Sequence, residues 1–240
     1  MKRSFRRIIT SSDAIGFLAS LGSQLRLRHT KQEFYSQSHE DSIIASFLPE
    51  KLGRYLDVGS GRPISGSNSY YFYKLGWQGI LIDPLSRNEK LNKLLRPRDK
   101  FFRVLVGNPG KTTFYETYPY EYSTTSTDYF EKMLRLDLVK LKKKSFLKIC
   151  SLSDFNLRVR ELEPFFLSID AEGTDFEILK SNDWALCRPR VVCIESPIDI
   201  DPNSDAIVAY MEGHGYFLVE QTQLSKIFVS NAYLKSVDFE

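Results

Sequence analysis

Residues 54–61 read Arg-Tyr-Leu-Asp-Val-Gly-Ser-Gly, and residues 79–83 read Gly-Ile-Leu-Ile-Asp. Each holds a short apolar run that ends in a polar or glycine-rich turn. Between them, residues 68–75 are rich in aromatics and stop at Gly76, a residue suited to closing a helix. Strand, glycine turn, helix, strand is the repeating unit of a parallel α/β sheet. The same alternation extends outward on both sides. Helices are expected over 42–48, 88–95, 174–180 and 205–212, and strands over 101–106, 165–169 and 190–194. Residues 216–220 and 226–229, joined by a polar turn, read as a closing hairpin. Continuous apolar strands imply a sheet covered on both faces. The expected fold class is therefore α/β: a mostly parallel sheet with helices on both faces and an antiparallel hairpin at its C-terminal edge. Residues 108–110, Asn-Pro-Gly, read as a turn with 112–115 as a hairpin partner, and the stretch from there to 144 shows no regular pattern.

The chain has 240 residues, 42% hydrophobic and 26% charged, a composition that excludes a disordered or low-complexity chain. Thirty-three Lys and Arg against thirty Asp and Glu give a net charge of +3, too little for a dedicated nucleic-acid binder. No apolar run is long enough to span a bilayer. Three cysteines, Cys150, Cys187 and Cys193, cannot all pair, and a reducing, cytoplasmic setting is expected. Residues 1–35 form a basic, partly helical extension, and residues 36–240 form the principal domain. Asp13 interrupts what would otherwise resemble a secretion signal. Ser11 or Ser12 is placed to cap a short helix carrying Ile15, Phe17, Leu18 and Leu21. With its basic flanks, that helix reads as a packing element or as a peripheral anchor on an anionic membrane.

Open parallel sheets bind ligands beyond the carboxyl ends of their strands. The turn after residue 58 is therefore the first candidate site. It carries Asp57, Gly59, Ser60 and Gly61, but Ile64 stands where a dinucleotide fingerprint requires its third small residue. An NAD(P)-dependent enzyme is disfavoured on that ground, and the phosphate-binding lysine motif is absent. A glycine turn followed by an acid, Asp83, at the end of the next strand suits a nucleoside without phosphate, such as S-adenosylmethionine. Asp83 would accept from two ribose hydroxyls.

Strand 165–169 is followed by Asp170 and Glu172, and strand 190–194 by Glu195. If these strands are neighbours, three carboxylates crowd one rim. Such crowding raises at least one pKa toward the range of a general base. It also suits a divalent cation bound through Asp170 and Glu195. Glu172 has a second possible role, capping the helix that follows.

At these residues the chain resembles the FkbM-type S-adenosylmethionine-dependent methyltransferases. Ser36-Gln37 with Glu40-Asp41 resembles the family's opening S-Q-x-x-E-D, and Asp57–Gly61 with Ser67-Asn68 its cofactor turn. Residues 76–84 resemble its G-W-x-G-x-x-I-E-P, with Asp83 in place of the usual Glu. Residues 169–173 resemble its I-D-V-E-G, with Arg188-Pro189 and Glu195 at the expected distance. The resemblance implies a Rossmann-like methyltransferase fold, S-adenosylmethionine as cofactor, and transfer to a hydroxyl, often of a sugar in a glycan or natural product. It assigns Asp57, Gly59, Gly61 and Asn68 to the methionine end, Asp83 to the ribose, and Gln37 and Asp41 to the N-terminal wall. Ser60 and Asn108 join the candidate cofactor contacts. Asp170, helped by Glu172 or Glu195, is the expected base. The other readings are methylation of a lipid or other non-sugar molecule, and a nucleoside-binding module without catalysis.

Tyr115, Tyr118, Tyr120, Tyr122 and Tyr129 cluster in the irregular stretch and form either an acceptor lid or apolar cover. Lys140, Lys142, Lys143 and Lys144 would attract an anionic acceptor or simply face solvent. His39, inside the opening motif, is a further candidate base.

Overall fold

The computed structural model describes residues 2–30, 32–156, 165–198 and 201–236, with side chains from residue 14 onward. Helix α1 (Lys2–Arg28) leads to α2 (Glu40–Phe47) and then to the alternating body: β1 (Arg54–Val58), α3 (Tyr70–Leu75), β2 (Gln78–Ile82), α4 (Ser86–Leu95) and β3 (Lys100–Phe102). An insertion follows, made of β4 (Leu105–Val106), β5 (Gly110–Tyr118), α5 (Thr127–Arg135) and β6 (Lys140–Cys150). After α6 (Ser153–Asn156) the body resumes with β7 (Phe165–Ile169), α7 (Asp175–Lys180), β8 (Val191–Glu195), α8 (Ser204–Gly213), β9 (Tyr216–Gln221), β10 (Ser225–Ser230) and α9 (Asn231–Leu234).

The principal sheet has seven strands in the order β3-β2-β1-β7-β8-β10-β9. The first five are parallel, and β10 runs antiparallel to both β8 and β9, as the hairpin pattern predicts. Strand order reverses between β1 and β7, so the carboxyl ends of these two strands define the ligand crevice. Alternate side chains enter two cores. Leu56, Ile80, Leu167, Ile169 and Val192 pack with Ile178, Leu179, Ile207 and Met211 on one face. Tyr55, Leu81, Phe166, Val191 and Cys193 pack with Ile44, Phe72 and Trp77 on the other. Ile64 is fully buried in this second core, which is why a larger apolar residue stands where a dinucleotide site would need a small one. No disulfide joins any two of the three cysteines.

Three sequence expectations change. Residues 101–106 are not one strand. β3 ends at Phe102, and β4 crosses to a separate three-stranded sheet, β4-β6-β5. Residues 115–144 are not irregular: β5 and β6 pair antiparallel from Gly110↔Ile149 to Tyr118↔Lys140, with α5 packed beside them through Phe130 and Met133. The lysine-rich composition of β6 hides a strand whose apolar residues are few. Finally, Ser11 and Ser12 do not stand at the start of a helix; they lie within the continuous helix α1. The basic side chains of residues 2–7, and Lys31, lie outside the described residues. Among the described residues no helix is long and apolar enough to cross a membrane.

Candidate active site

The carboxyl ends of β1, β2, β7 and β8 open into a cavity of about 1030 Å³, large enough for a cofactor together with a second small molecule. Its walls come from four places. The turn 59–61 and Asp83 supply one side, Gln37 and Glu40 another, and Val104, Leu105 and Val106 an apolar slot. Tyr120, Tyr122, Thr124, Tyr129 and Met133 of the insertion form the fourth. Of the tyrosine cluster, Tyr115 is instead buried in a stack on Phe130 (centroids 4.4 Å apart), and Tyr118 is exposed.

The glycine turn is fixed by close approach. Gly59 has φ +76, and a Cβ there would stand 1.6 Å from the Asp170 carbonyl oxygen. No side chain fits between the ends of β1 and β7. Gly61 (φ +52) meets nothing nearer than 3.7 Å. The Gly61 N–H donates to Asp83 Oδ2 (3.1 Å), and Asn92 Nδ2 donates to the Gly61 carbonyl (2.9 Å). Asp83 also accepts from Leu85 N–H (2.7 Å) and Asn88 Nδ2 (2.8 Å). Burial pushes its carboxyl up to about 6 against these three stabilising bonds. Ser60 Oγ is buried in the cavity wall without a hydrogen-bond partner among the described residues, so it is left to a ligand.

Behind the turn lies a hub that the sequence does not announce. Arg96 has no exposed surface and donates to Tyr55 Oη (3.0 Å), Ser67 Oγ (3.1 Å), Ser69 Oγ (2.9 Å), the Pro63 carbonyl (3.4 Å) and Asp99 (2.7 Å). Ser69 Oγ in turn donates to Asp57. A buried guanidinium needs this many acceptors to offset its desolvation. On the other side, Gln24 of α1 is fully buried, and its Oε1 accepts from Ile64 N–H and Ser65 N–H, both at 3.0 Å.

Three candidate cofactor contacts are corrected by these placements. Asp57 is committed to Ser69 and lies under the influence of Arg96, so its carboxylate supports the turn from behind and is not part of the cavity wall. Asp41 accepts from Tyr35 N–H (2.6 Å), Ser36 Oγ (2.7 Å) and Ser42 N–H (3.0 Å), which makes it the clasp of its own loop. Asn108 is exposed and donates to Glu177 (2.9 Å), away from the cavity. Gln37, Gly59, Ser60, Gly61, Asn68 and Asp83 do line it. Asn68 is held by Ser168 Oγ (3.1 Å). His39 begins α2 in a left-handed conformation and does not line the cavity. Glu40 does line it. It belongs to the opening motif, and it accepts from Ser38 N–H (2.8 Å) and Thr222 Oγ1 (3.0 Å), tying α2 to the β9–β10 turn.

β7 and β8 are neighbours, so Asp170, Glu172 and Glu195 meet as the spacing predicts, with a carboxylate oxygen from each within 4.8 Å of the others. Burial, then Glu172, Asp175 and Asp57, hold Asp170 well above the usual carboxylate range. Glu195 is raised by burial and then by Asp170. Hydrogen bonding between the two opposes the shift at Asp170 and adds to it at Glu195. Glu172 sits at φ 55, its carbonyl accepts from Thr124 Oγ1 (2.7 Å), and its carboxylate accepts from Tyr129 Oη. Burial lifts it to about 7, although the Tyr129 bond pulls the other way. Glu172 does not cap α7. Asp175 holds that loop, accepting from Ala171 N–H (2.6 Å) and Gly173 N–H (3.0 Å).

The residues fit S-adenosylmethionine: a turn whose backbone can touch a ligand, an orphaned hydroxyl beside it, an acid at the end of the second strand, and an apolar slot for a base. No curated protein matches the chain. The solved structure of a TehB-like SAM-dependent methyltransferase from Corynebacterium glutamicum is similar at 11% identity, over 90% of this chain and 99% of that one, with a TM-score of 0.48. The model of the methyltransferase FkbM domain matches residues 57–218, from the glycine turn to β9. With two thirds of its length matched by that model, the chain belongs to the FkbM family of S-adenosylmethionine-dependent methyltransferases.

Proposed function

We propose that this chain methylates a hydroxyl oxygen, and that the acceptor is a sugar. The observation that carries the reading is the group Asp170, Glu172 and Glu195 on the cavity floor, facing the tyrosines of the insertion. The bound cofactor supplies a methyl group already activated on sulfonium. What the chain must add is orientation of the acceptor and removal of its proton. Asp170 and Glu195, neighbours on the floor and both raised by burial, suit hydrogen bonding to the acceptor hydroxyls. Glu172, with its pKa at about 7, suits the base, and Tyr129 holds its carboxylate in place. The base is thus shifted from Asp170, the residue favoured by the sequence, to its neighbour.

A neutral polyol meets this floor without the repulsion that a phosphate or carboxylate would suffer. No lysine lines the cavity among the described residues, Lys140–Lys144 lie on the exposed part of β6, and the two arginines of the wall are engaged, Arg62 with Glu121 (2.7 Å) and Arg87 over the Tyr120 ring (4.2 Å). The rings of Tyr122 and Tyr129 offer faces for sugar C–H groups. A divalent cation at Asp170 and Glu195 is a second reading, favoured by the closeness of the three carboxylates.

The test is methyl transfer from labelled S-adenosylmethionine to neutral glycosides, with amines, lipids and acidic sugars as comparators, in the presence and absence of a chelator. Expected are transfer to a glycoside hydroxyl, insensitivity to chelation, and turnover lost in Glu172→Gln and Asp170→Asn while cofactor affinity stays within about threefold. Transfer only to another class, or full activity in Glu172→Gln, overturns the proposal.

A further inference from the structure

The insertion carries a surface that the methyl-transfer reading does not use. From residue 134 to 148 the chain reads Leu-Arg-Leu-Asp-Leu-Val-Lys-Leu-Lys-Lys-Lys-Ser-Phe-Leu-Lys, with Asp137 as its one acid among six basic residues. Its apolar side chains are not tucked away. Leu134, Leu136, Leu138 and Leu141 are all exposed, and Phe146 is 69% exposed. Lys140, Lys143, Lys144 and Lys148 are exposed along the same strand, and Tyr118, paired with Lys140, is exposed beside them.

This surface is built and not frayed. Val139 is buried and anchors the segment between α5 and β6. The turn closes with Leu138 N–H donating to the Met133 carbonyl and Asp137 N–H to the Leu134 carbonyl, both at 3.1 Å, with Asp137 at φ 53. β6 is paired along its length with β5. Two basic residues of the patch have acidic neighbours: Arg135 lies 3.9 Å from Glu131, and Lys142 lies 3.2 Å from Glu116.

Among the described residues β6 pairs with β4 only at Ile149 and Cys150, so residues 140–148 form a free edge that presents side chains from both faces of the strand, and we infer that this edge of the insertion docks on an anionic phospholipid bilayer. Large apolar side chains exposed among lysines are costly in water, and the combination is complementary to a membrane interface. The apolar groups enter the headgroup boundary, and each lysine near the surface adds about 1 kcal/mol with anionic lipid. A nucleic acid would use the lysines but leave the leucines and Phe146 in water. The same insertion supplies Tyr122 and Tyr129 to the cavity wall, so the bilayer-facing element and the cavity-facing element are one. The expected basic N-terminal anchor is a different surface. Its described end is committed to the body through Gln24.

The experiment is flotation of the full chain with vesicles of phosphatidylcholine mixed with phosphatidylglycerol, against pure phosphatidylcholine, and needs no activity. Wild type should float with the mixed vesicles, and added salt should release it. Lys140→Gln/Lys143→Gln/Lys148→Gln should weaken binding by roughly a hundredfold at about 1 kcal/mol per charge. Leu136→Ser/Phe146→Ser should weaken it by roughly a hundredfold or more, consistent with burial of two large apolar side chains. Arg26→Gln/Arg28→Gln should leave it unchanged. All the substituted residues are exposed or half-buried surface side chains, and unchanged circular dichroism and melting would show that the variants are folded. The inference fails if wild type ignores anionic vesicles or binds neutral ones equally. It also fails if only the Arg26/Arg28 variant loses binding, or if the patch captures RNA or duplex DNA and no vesicle.

Discussion

Gly59 and Gly61 occupy the same turn, both have positive φ, and both belong to the same motif, yet alanine should act on them very differently. At Gly61 an added Cβ finds open space, so Gly61→Ala costs only the left-handed conformation, about 1–2 kcal/mol. At Gly59 the same conformational cost applies, and the new methyl falls 1.6 Å from the Asp170 carbonyl oxygen and 2.6 Å from its carbon. Neither neighbour is a flexible side chain. The end of β7 must retreat by well over an ångström. That movement breaks the Asp170 N–H bond to the Val58 carbonyl (2.9 Å) and strains the Gly59 N–H bond to Ile82 (2.8 Å). Each is worth about 1 kcal/mol. The sum for Gly59→Ala is about 3–4 kcal/mol, equivalent to roughly 6–16 °C in melting temperature at this chain length, against roughly 2–8 °C for Gly61→Ala. Urea and thermal unfolding without cofactor read this difference directly, since any clash with a ligand at Gly61 would affect binding alone. Equal stability of the two variants would refute the reasoning, because it would mean that the ends of β1 and β7 are not in contact.

Asp83→Asn places an amide donor opposite the Gly61 N–H and Asn88 Nδ2, and removes the charge that would accept from ribose hydroxyls. Calorimetric affinity for S-adenosylmethionine should fall about 10–150-fold, and a change below about threefold would remove Asp83 from the cofactor site. The folded-state pKa values of Asp83, Glu172 and Asp175 are raised, so between about pH 4 and 7 the folded chain holds more protons than the unfolded one. Stability of the cofactor-free protein should therefore fall as pH rises through that window, and Glu172→Gln should flatten the upper part; a urea midpoint that rises instead contradicts the burial of these groups. Tyr129→Phe removes a bond that favours the charged Glu172, so the acid limb of the activity profile should move to higher pH, whereas a purely structural tyrosine would leave it in place. Asn108→Ala should leave cofactor affinity unchanged within error, since its partner is the exposed Glu177.

The parts of this molecule that could be read from its sequence are those where one physical rule dominates. β1, β2, β7 and β8 are buried on both faces, so their apolar runs are continuous, and the turns at their carboxyl ends carry the polar residues of the site. Asp170, Glu172 and Glu195 converge because strand register places them together. The insertion was hidden because β6 has one lysine after another on a largely exposed strand, a composition that signals solvent more strongly than pairing. The corrected residues share a different cause. The identities of Asp57, Asp41 and Asn108 mark them as polar and near the crevice. Whether a carboxylate or amide faces the cavity or turns back to a backbone amide or a serine depends on partners distant in sequence. Arg96, which reaches five acceptors from the end of α4, is the extreme case.

The bond from Gln24 to the backbone of Ile64 and Ser65 has a thermodynamic corollary. Those two amides belong to the loop that continues the cofactor turn, and within the fold they depend on a side chain from α1. Anything that orders the turn therefore improves the seat of the helix, and anything that detaches the helix loosens the turn by the same free energy. The amino-terminal helix and the cofactor are thus reciprocal effectors of one another. Protection of the α1 amides from hydrogen exchange should accordingly rise on addition of S-adenosylmethionine, although none of the helix's described side chains lines the cavity.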